Sequence, residues 1–272
     1  MRINNNMMAY NAHRQLKTNS AAQEKSLEKL SSGYRINRAG DDAAGLSISE
    51  KMRGQIRGLQ QSSRNAQDGI SLIQTAEGAL AETHSILQRM RELSVQASND
   101  TNVANDRTAI KTELDDLISE IDRIASKTQF NTQNLLSGGF ENKTIQIGAN
   151  ASEVLTFSIA AMATSALTVS TGAISVGTTA DAQASISLIN SAINVVSDQR
   201  AKLGAKQNRL EHTINNLDTA AENLQASESR IRDVDMAQEM MSYTKNNILN
   251  QAATAMLAQA NQAPQGVLQL LQ

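Results

Sequence analysis

The feature that most constrains this chain is a long hydrophobic repeat of seven residues in its second half. Between residues 186 and 231, apolar side chains alternate three and four positions apart, and eleven of the fourteen positions are apolar. The positions are Ile186, Ile189, Ile193, Val196, Arg200, Leu203, Gln207, Leu210, Ile214, Leu217, Ala221, Leu224, Glu228 and Ile231. This spacing predicts a helical rod about 70 Å long with one apolar stripe. The polar members Arg200, Gln207 and Glu228 are expected to set the register or to bond across helices.

Two more helices with apolar stripes are predicted in the first half of the chain. A second rod covers about Ala43 to Ser98, with a row of residues spaced seven apart: Met52, Leu59, Ala66, Ile73, Leu80 and Leu87. A third, shorter helix carries Ile110, Leu114, Leu117, Ile121 and Ile124. Because each stripe is too large to leave in water, the helices should pack together as a bundle.

The hydrophobic period changes after the third helix. Ile145 and Ile147, then Leu155, Phe157 and Ile159, alternate on either side of a turn-forming segment, which predicts a β-hairpin with one covered face. Residues 160–181 are rich in Ala, Ser, Thr and Gly and are predicted to form a short, turn-rich connection. The predicted fold class is therefore mainly α: long antiparallel helical rods in a coiled-coil-like bundle, one small β-hairpin, and paired N- and C-terminal helices.

Both ends of the chain are predicted to be helical, but their apolar stripes are thin. The large apolar residues are Ile3, Met7, Tyr10 and Leu27 at one end and Met236, Met240, Tyr243, Ile248, Met256 and Leu257 at the other. So few side chains would not offset an ordering cost of about 1–2 kcal/mol per residue in an isolated chain. We therefore expect both ends to be disordered in the monomer and to fold when partner copies cover them.

Residues that end or cap helices divide the chain into five predicted regions. Gly33 is expected to end the first helix, and the carboxylates after Gly40 are expected to cap the second. The predicted regions are an N-terminal inner helix and link (1–42), a rod domain with hairpin (43–160), the short connection (161–181), a long rod helix (182–234) and a C-terminal inner helix (235–272).

Composition argues against a globular enzyme. There are six aromatic residues and one proline, so deep pockets lined with rings are not expected. His13, His84 and His212 are isolated, with no HExxH motif and no second clustered ligand, which predicts no zinc site and no catalytic dyad, and no cofactor is expected. A formal charge of -2 gives no reason to expect nucleic acid or an anionic membrane as a partner.

Four stretches of sequence resemble the signatures of bacterial flagellins. Residues 29–46 read KLSSGYRINRAGDDAAGL, residues 87–93 read LQRMREL, and residues 229–236 read SRIRDVDM. The tail reads AMLAQANQ at 255–262 and VLQLL at 267–271. The resemblance covers about residues 1–160 and 182–272. The chain differs from many flagellins in the middle, where they insert outer domains and this chain has only the short connection.

The resemblance implies a structural protein that is not an enzyme and that self-assembles into the flagellar filament used for swimming. The terminal helices would pair around the central tube, surrounded by the rods. The implied location is extracellular, reached through the type III export channel; the first residues show no cleavable secretory signal. The implied partners are other copies, the flagellin export chaperone, the cap and hook–filament junction proteins, and Toll-like receptor 5.

Three groups of residues acquire expected roles from the resemblance. Arg35, Arg38, Asp41 and Asp42 would pair between subunits, with local capping as the alternative. A receptor or packing face would comprise Arg89, Leu93, Gln96 and Glu113. Inner-helix and chaperone contacts, with a frayed tail as the alternative, would involve Met256, Leu257, Val267, Leu268, Leu270 and Leu271.

The nearest competing function is that of the hook–filament junction protein related to flagellin. Two further classes of protein fit parts of the pattern: a secreted enzyme carried on a flagellin scaffold and a soluble coiled-coil adaptor. A subunit should elongate filament seeds, an enzyme should show metal or peptidase activity, and an adaptor should still bind its partner after both ends are trimmed.

Overall fold

The computed structural model describes residues 6–270, with side chains for residues 6–262. Within this range the chain forms five helices and two small antiparallel sheets. The helices are α1 Met7–Ser32, α2 Ala43–Ala97, α3 Ala104–Lys127, α4 Thr179–Arg232 and α5 Met236–Leu270. The mainly-α prediction is confirmed, and the two long rods correspond to α2 and α4, of 55 and 54 residues.

The chain divides into two compact units. The terminal unit comprises Met1–Gln55 with Glu222–Gln272, and the central unit comprises Ile56–Ala221. The region boundaries predicted at residues 42 and 234 lie close to helix ends. The division between the two compact units lies instead within α2 and α4.

The core of the central unit is built from the heptad rows. On α2 the buried row is Ala66, Ile73, Leu80 and Leu87, and on α4 it is Ile189, Val196, Leu203 and Leu210. α3 adds residues that include Ile110, Leu114, Ile118 and Ile121 to the same cluster. Residues seven apart lie on nearly the same side of a helix, so the repeat read from sequence is the buried stripe.

The polar residues in the α4 stripe make different kinds of contact. The Arg200 guanidinium lies 3.6 Å from a carboxylate oxygen of Glu77 on α2, so this pair joins two helices as expected. Gln207 instead donates to Glu211 one turn further along its own helix, at 3.0 Å. Of these two residues, Arg200 therefore contributes the contact that can select the register between the rods.

The predicted hairpin is present and packs on the central core. β3 (Lys143–Gln146) pairs antiparallel with β4 (Val154–Phe157), and Ile145 lies opposite Leu155. A second, smaller hairpin was not predicted: β1 (Gln129–Phe130) pairs with β2 (Gln133–Asn134). Strands of two residues are too short to produce an alternating pattern, so sequence offers no periodic signal for them.

The segment at 158–178 is more than a connection. It is rich in turns, as predicted, but its apolar residues are buried in the central core: Ile159, Met162, Leu167, Val169, Ile174 and Val176. The Asp122 carboxylate on α3 anchors it by accepting from the Thr164 amide and hydroxyl, at 2.9 Å each. The segment thus closes the core beside α3 and α4.

Among the residues that the structure describes, no helix contains a stretch with the length and hydropathy of a membrane span.

Candidate functional site

The terminal unit buries very little apolar surface. Among the described side chains, the buried apolar residues of this unit are Ile36 and Ala253, and all other buried apolar residues belong to the central unit. The α1 residues that are buried, Asn19 and Ser26, are both polar. Burial of apolar area is the main source of folding free energy, so this unit lacks the stabilisation that the central unit has.

Large apolar side chains are instead exposed on the terminal unit. The exposed large apolar residues of the central unit are four valines: Val95, Val103, Val154 and Val195. The terminal unit exposes more of these residues, and their side chains are larger. Its exposed members are Met7, Met8, Tyr10, Leu27, Tyr34, Ile48, Met236, Met240, Met241, Ile248, Leu249 and Met256. Such a concentration of apolar surface marks an interaction surface.

An open apolar groove runs between α1 and α5. Its volume is about 670 Å³, and its walls include Met8, Leu249, Ala252 and Met256. Several lining residues on α5 are alanines, whose small side chains leave room for a side chain from another molecule. The groove therefore adds a concave apolar surface to the exposed side chains of the terminal unit.

Polar contacts fix how α1 and α5 lie against each other. Three of them join the helices along their length: Asn6 with Ala260 at 2.7 Å, Gln23 with Asn250, and Lys29 with Glu239 at 3.5 Å. Apolar contacts are non-directional, whereas hydrogen bonds require particular partners. These contacts therefore specify the register of a pair that has few buried apolar side chains.

Two links that follow α1 and α4 pair with each other. Gly33 ends α1 in the left-handed conformation at φ 75°, and its amide donates to the Lys29 carbonyl at 2.8 Å. The Arg35 amide donates to the Arg232 carbonyl at 2.6 Å, and the Val234 amide donates to the Gly33 carbonyl at 3.0 Å. These bonds form one isolated antiparallel bridge within the terminal unit.

Arg232 reinforces the bridge from the end of α4. Its guanidinium carbon lies 4.8 Å from the centre of the Tyr34 ring, and one of its nitrogens lies 2.9 Å from Glu50 on α2. Arg35 returns the contact by donating to the Ile231 carbonyl. Sequence reasoning missed Arg232, Tyr34 and Glu50, although the first two lie inside flagellin-like motifs.

Asp41 holds the first link in shape. Its carboxylate accepts from the Asn37 and Arg38 amides at 3.2 and 3.1 Å and pairs with Lys25 at 2.8 Å. The hydrogen bond from Lys25, helped by the two amides, lowers the pKa of Asp41 to about 2. Asp42 caps α2 by accepting from the Gly45 amide at 2.8 Å, as expected from the sequence.

The four predicted link residues thus all have partners within the chain. Arg38 pairs with Glu28 at 2.9 Å, but its side chain remains 76% exposed. Arg35 bonds across to α4, and the two aspartates order the link and cap α2. Arg35 and Arg38 are exposed, whereas Asp41 and Asp42 are half-buried, so the two arginines are the charges that a neighbouring molecule can reach.

The predicted receptor or packing face is partly accessible. Arg89 on α2 pairs with Glu113 on α3 at 2.9 Å, and this hydrogen bond, with a second to Glu92, raises the pKa of Arg89. Gln96 is exposed on the same helix. Leu93 is only 2% exposed and belongs to the central core, so it packs internally.

The predicted C-terminal contact residues are only partly within the described side chains. Met256 is 61% exposed, and Leu257 is half-buried. Val267, Leu268 and Leu270 lie in the α5 range, but their side chains, like Leu271 and the N-terminal Ile3, lie outside the described residues.

Within the described part of the chain, no group of three His, Asp or Glu side chains could hold a metal ion. His84 shares a hydrogen bond with Gln88 on the same helix, at 2.9 Å. This contact gives one ring nitrogen of His84 a polar partner on its own helix.

Comparison with known proteins matches nearly the whole chain. Residues 3–141 match the family described as the bacterial flagellin N-terminal helical region, and residues 186–271 match the bacterial flagellin C-terminal helical region. The chain is 60% identical to a flagellin of Halalkalibacterium halodurans and 54% identical to a flagellin of Bacillus subtilis, with full coverage of both chains in each case. It is 52% identical, again over full length, to the flagellar filament 33 kDa core protein of Treponema phagedenis.

Solved structures show a related fold. A crystal structure of Bacillus cereus flagellin aligns with a TM-score of 0.51 at 36% identity, over 57% of this chain and 88% of that chain. A putative flagellar hook-associated protein from Vibrio parahaemolyticus aligns with a TM-score of 0.59 over 71% of this chain and all of that chain. At 14% identity, the second likeness concerns the fold alone.

Proposed function

We propose that this chain, which belongs to the bacterial flagellin family, is held to neighbouring copies by the exposed apolar surface of its terminal unit. The chain is a structural subunit of the extracellular flagellar filament. It is not an enzyme. The observation that carries the proposal is the contrast between the two units: the central unit buries its apolar side chains, whereas the terminal unit exposes them.

Neighbouring copies supply the surface that the terminal unit lacks. Complete burial of one Met, Leu or Ile side chain contributes about 1.5–3 kcal/mol. The exposed residues of α1 and α5 could thus offset a large part of the ordering cost of these helices when several are covered at once. Folding of the terminal unit and polymerisation are therefore one coupled process in this proposal.

The decisive experiment is seeded elongation. Purified monomer is added to short filament fragments, and filament length and sedimentable mass are followed with time. A filament subunit lengthens the seeds at one or both ends. A chain that binds seeds without lengthening them, or that occupies a single ring at the filament base in cells, would contradict the proposal and indicate the hook–filament junction protein.

The resemblance also supports a cytoplasmic partner and an export route. We propose that the export chaperone covers the apolar face of α5 around Met256 and Leu257 and the tail from Val267 to Leu271. The chain would then pass unfolded through the type III export channel without cleavage of a signal. It would join the growing filament beneath the cap, beyond the junction proteins. Met256→Gln should weaken chaperone binding, whereas Met52→Gln in α2 should not; equal weakening would contradict this assignment.

The α2–α3 face supports a weaker proposal about recognition by a host. Arg89, Gln96 and Glu113 are accessible and could contact Toll-like receptor 5, whereas Leu93 would support the face from below. Arg89→Ala should lower receptor activation by monomer at least severalfold, and Arg91→Ala, at a neighbouring exposed position, is the matched control. Equal activation by both variants would leave Arg89 with its packing role.

A proposal for the link concerns contacts between subunits. Arg38 has a 76% exposed side chain and Arg35 is exposed as well, whereas Asp41 and Asp42 order the segment that carries them. Arg38→Ala should weaken polymerisation more at low salt than at high salt, because ion pairs at an exposed contact are screened. A salt-independent effect would indicate that Arg38 acts only through Glu28 in its own chain.

A further inference from the structure

Sulfur atoms in this chain are distributed very unevenly. The chain has ten methionines and no cysteine, so methionine provides all of its sulfur chemistry. Six methionines of the terminal unit are exposed: Met7, Met8, Met236, Met240, Met241 and Met256. In the central unit, Met90 and Met162 are no more than 1% exposed.

Exposure determines which thioethers an oxidant in solution can reach. Exposed fractions on the terminal unit run from 48% at Met236 to 72% at Met8. Met240 and Met241 also border an apolar hollow with Ile248 and Leu249. The accessible thioethers therefore lie on the surface that the proposed function assigns to contacts between copies.

We propose that these six methionines are modification sites at which oxidation by a hydroperoxide switches off polymerisation, an inference that rests on the proposed function. In the reaction, the thioether sulfur attacks one oxygen of hydrogen peroxide and the O–O bond breaks. An S–O bond forms, and the hydroxide that leaves takes the proton of the transferred hydroxyl. The thioether thus loses two electrons to become a sulfoxide, and the peroxide is reduced to one water. The exposed thioethers act as the substrate, and no other group of the chain takes part.

The consequence follows from the polarity of the product. A thioether is soft and apolar and fits an irregular contact between helices, whereas a sulfoxide is polar and chiral. Burying an unpaired polar group is unfavourable, so each sulfoxide in a contact should lower subunit affinity by about tenfold or more. The central unit stays folded, because Met90 and Met162 are shielded.

The test begins with full-length monomer treated with graded hydrogen peroxide, which is then removed. Peptide mass spectrometry locates the sulfoxides, circular dichroism follows the central helices, and seeded elongation measures assembly. We expect sulfoxide first at the six exposed methionines, an unchanged thermal transition of the central unit, and at least a tenfold fall in elongation rate. Treatment with methionine sulfoxide reductases should restore elongation.

A matched variant separates oxidation of these residues from other damage. It carries leucine at all six positions: M7L, M8L, M236L, M240L, M241L and M256L. Leucine keeps similar volume and apolar character but cannot be oxidised, so this variant should elongate seeds equally well before and after peroxide. If the variant does not polymerise untreated, recovery of the oxidised native chain after enzymatic reduction decides the question.

Two results would overturn the inference. One is oxidised native chain that elongates seeds as fast as untreated chain, and the other is lost elongation that accompanies oxidation of Met90 or Met162 and melting of the central unit. Failure of the proposed function itself looks different, because untreated native monomer would then not elongate seeds at all.

Discussion

The Arg232 guanidinium carbon lies 4.8 Å from the centre of the Tyr34 ring, so a residue at the end of α4 covers the first residue after the α1 stop. Arg232 also pairs with Glu50, whose position on α2 brings a third helix into the same cluster. The two links of the terminal unit are therefore ordered together. We therefore expect the N-terminal and C-terminal ends of the chain to fold only together.

Replacing Arg232 with alanine should weaken assembly. A cation–π contact contributes about 0.5–1 kcal/mol and a partly exposed ion pair up to about 1 kcal/mol, so the terminal unit should lose about 0.5–2 kcal/mol. The critical concentration for polymerisation should then rise by about tenfold. Arg230→Ala, at an exposed position two residues earlier, is the control. Equal rises in the two variants would show that the cluster has no special role.

The contribution of Asp41 should vanish in acid. Its pKa is lowered from 3.8 to about 2 in the folded link, so it stabilises the fold above pH 3.8 and loses this effect as the pH falls through about 2. Asp41→Asn should raise the critical concentration at pH 7, and the gap from the native chain should close between about pH 4 and pH 2. Asp116→Asn on α3 is the control, and a gap that stays constant in acid would contradict this assignment.

Two glycines of α2 should respond oppositely to alanine. A Cβ at Gly58 would lie 2.9 Å from the Ala149 Cβ and 3.2 Å from its Cα, so the turn of the β3–β4 hairpin would have to move. At Gly78 a Cβ meets nothing within 4 Å. We expect Gly58→Ala to destabilise the monomer by about 1–3 kcal/mol and Gly78→Ala to stabilise it by about 0.5–1 kcal/mol. Urea unfolding measures both, and stabilisation by Gly58→Ala would contradict the close packing.

Core and contact residues should separate stability from assembly. Leu203→Ala removes a side chain that is 1% exposed and should lower monomer stability by about 2–5 kcal/mol. Ile248→Ala removes one that is 60% exposed and should leave monomer unfolding unchanged while slowing seeded elongation about tenfold or more. If Ile248→Ala destabilises the monomer as much as Leu203→Ala does, α5 is already packed before assembly.

Most helices could be predicted because their signals are local. A seven-residue row such as Leu203 and Leu210 reports the buried side of its own helix without knowledge of the partner. Gly33 and Asp42 likewise act on backbone groups only a few residues away. The β3–β4 hairpin could be read for the same reason, since alternation and turn lie side by side.

Contacts between distant parts of the chain left no comparable signal. The stacking of Arg232 on Tyr34 depends on how two links meet, and neither residue has a periodic pattern around it. The burial of Ile159 and Val176 depends on a core surface formed by other elements, so their segment reads only as turn-rich. The family resemblance places Leu93 on an accessible face, whereas its neighbours in space bury it.

Amide hydrogen exchange of dilute monomer and of assembled filament tests the central claim most directly. In the monomer, amides of α1 and α5 should exchange within seconds while those of the central unit in α2, α3 and α4 remain protected; in the filament, α1 and α5 should become protected as well. Slow exchange of α1 and α5 in dilute monomer would show that the terminal unit folds alone, and would contradict folding coupled to assembly.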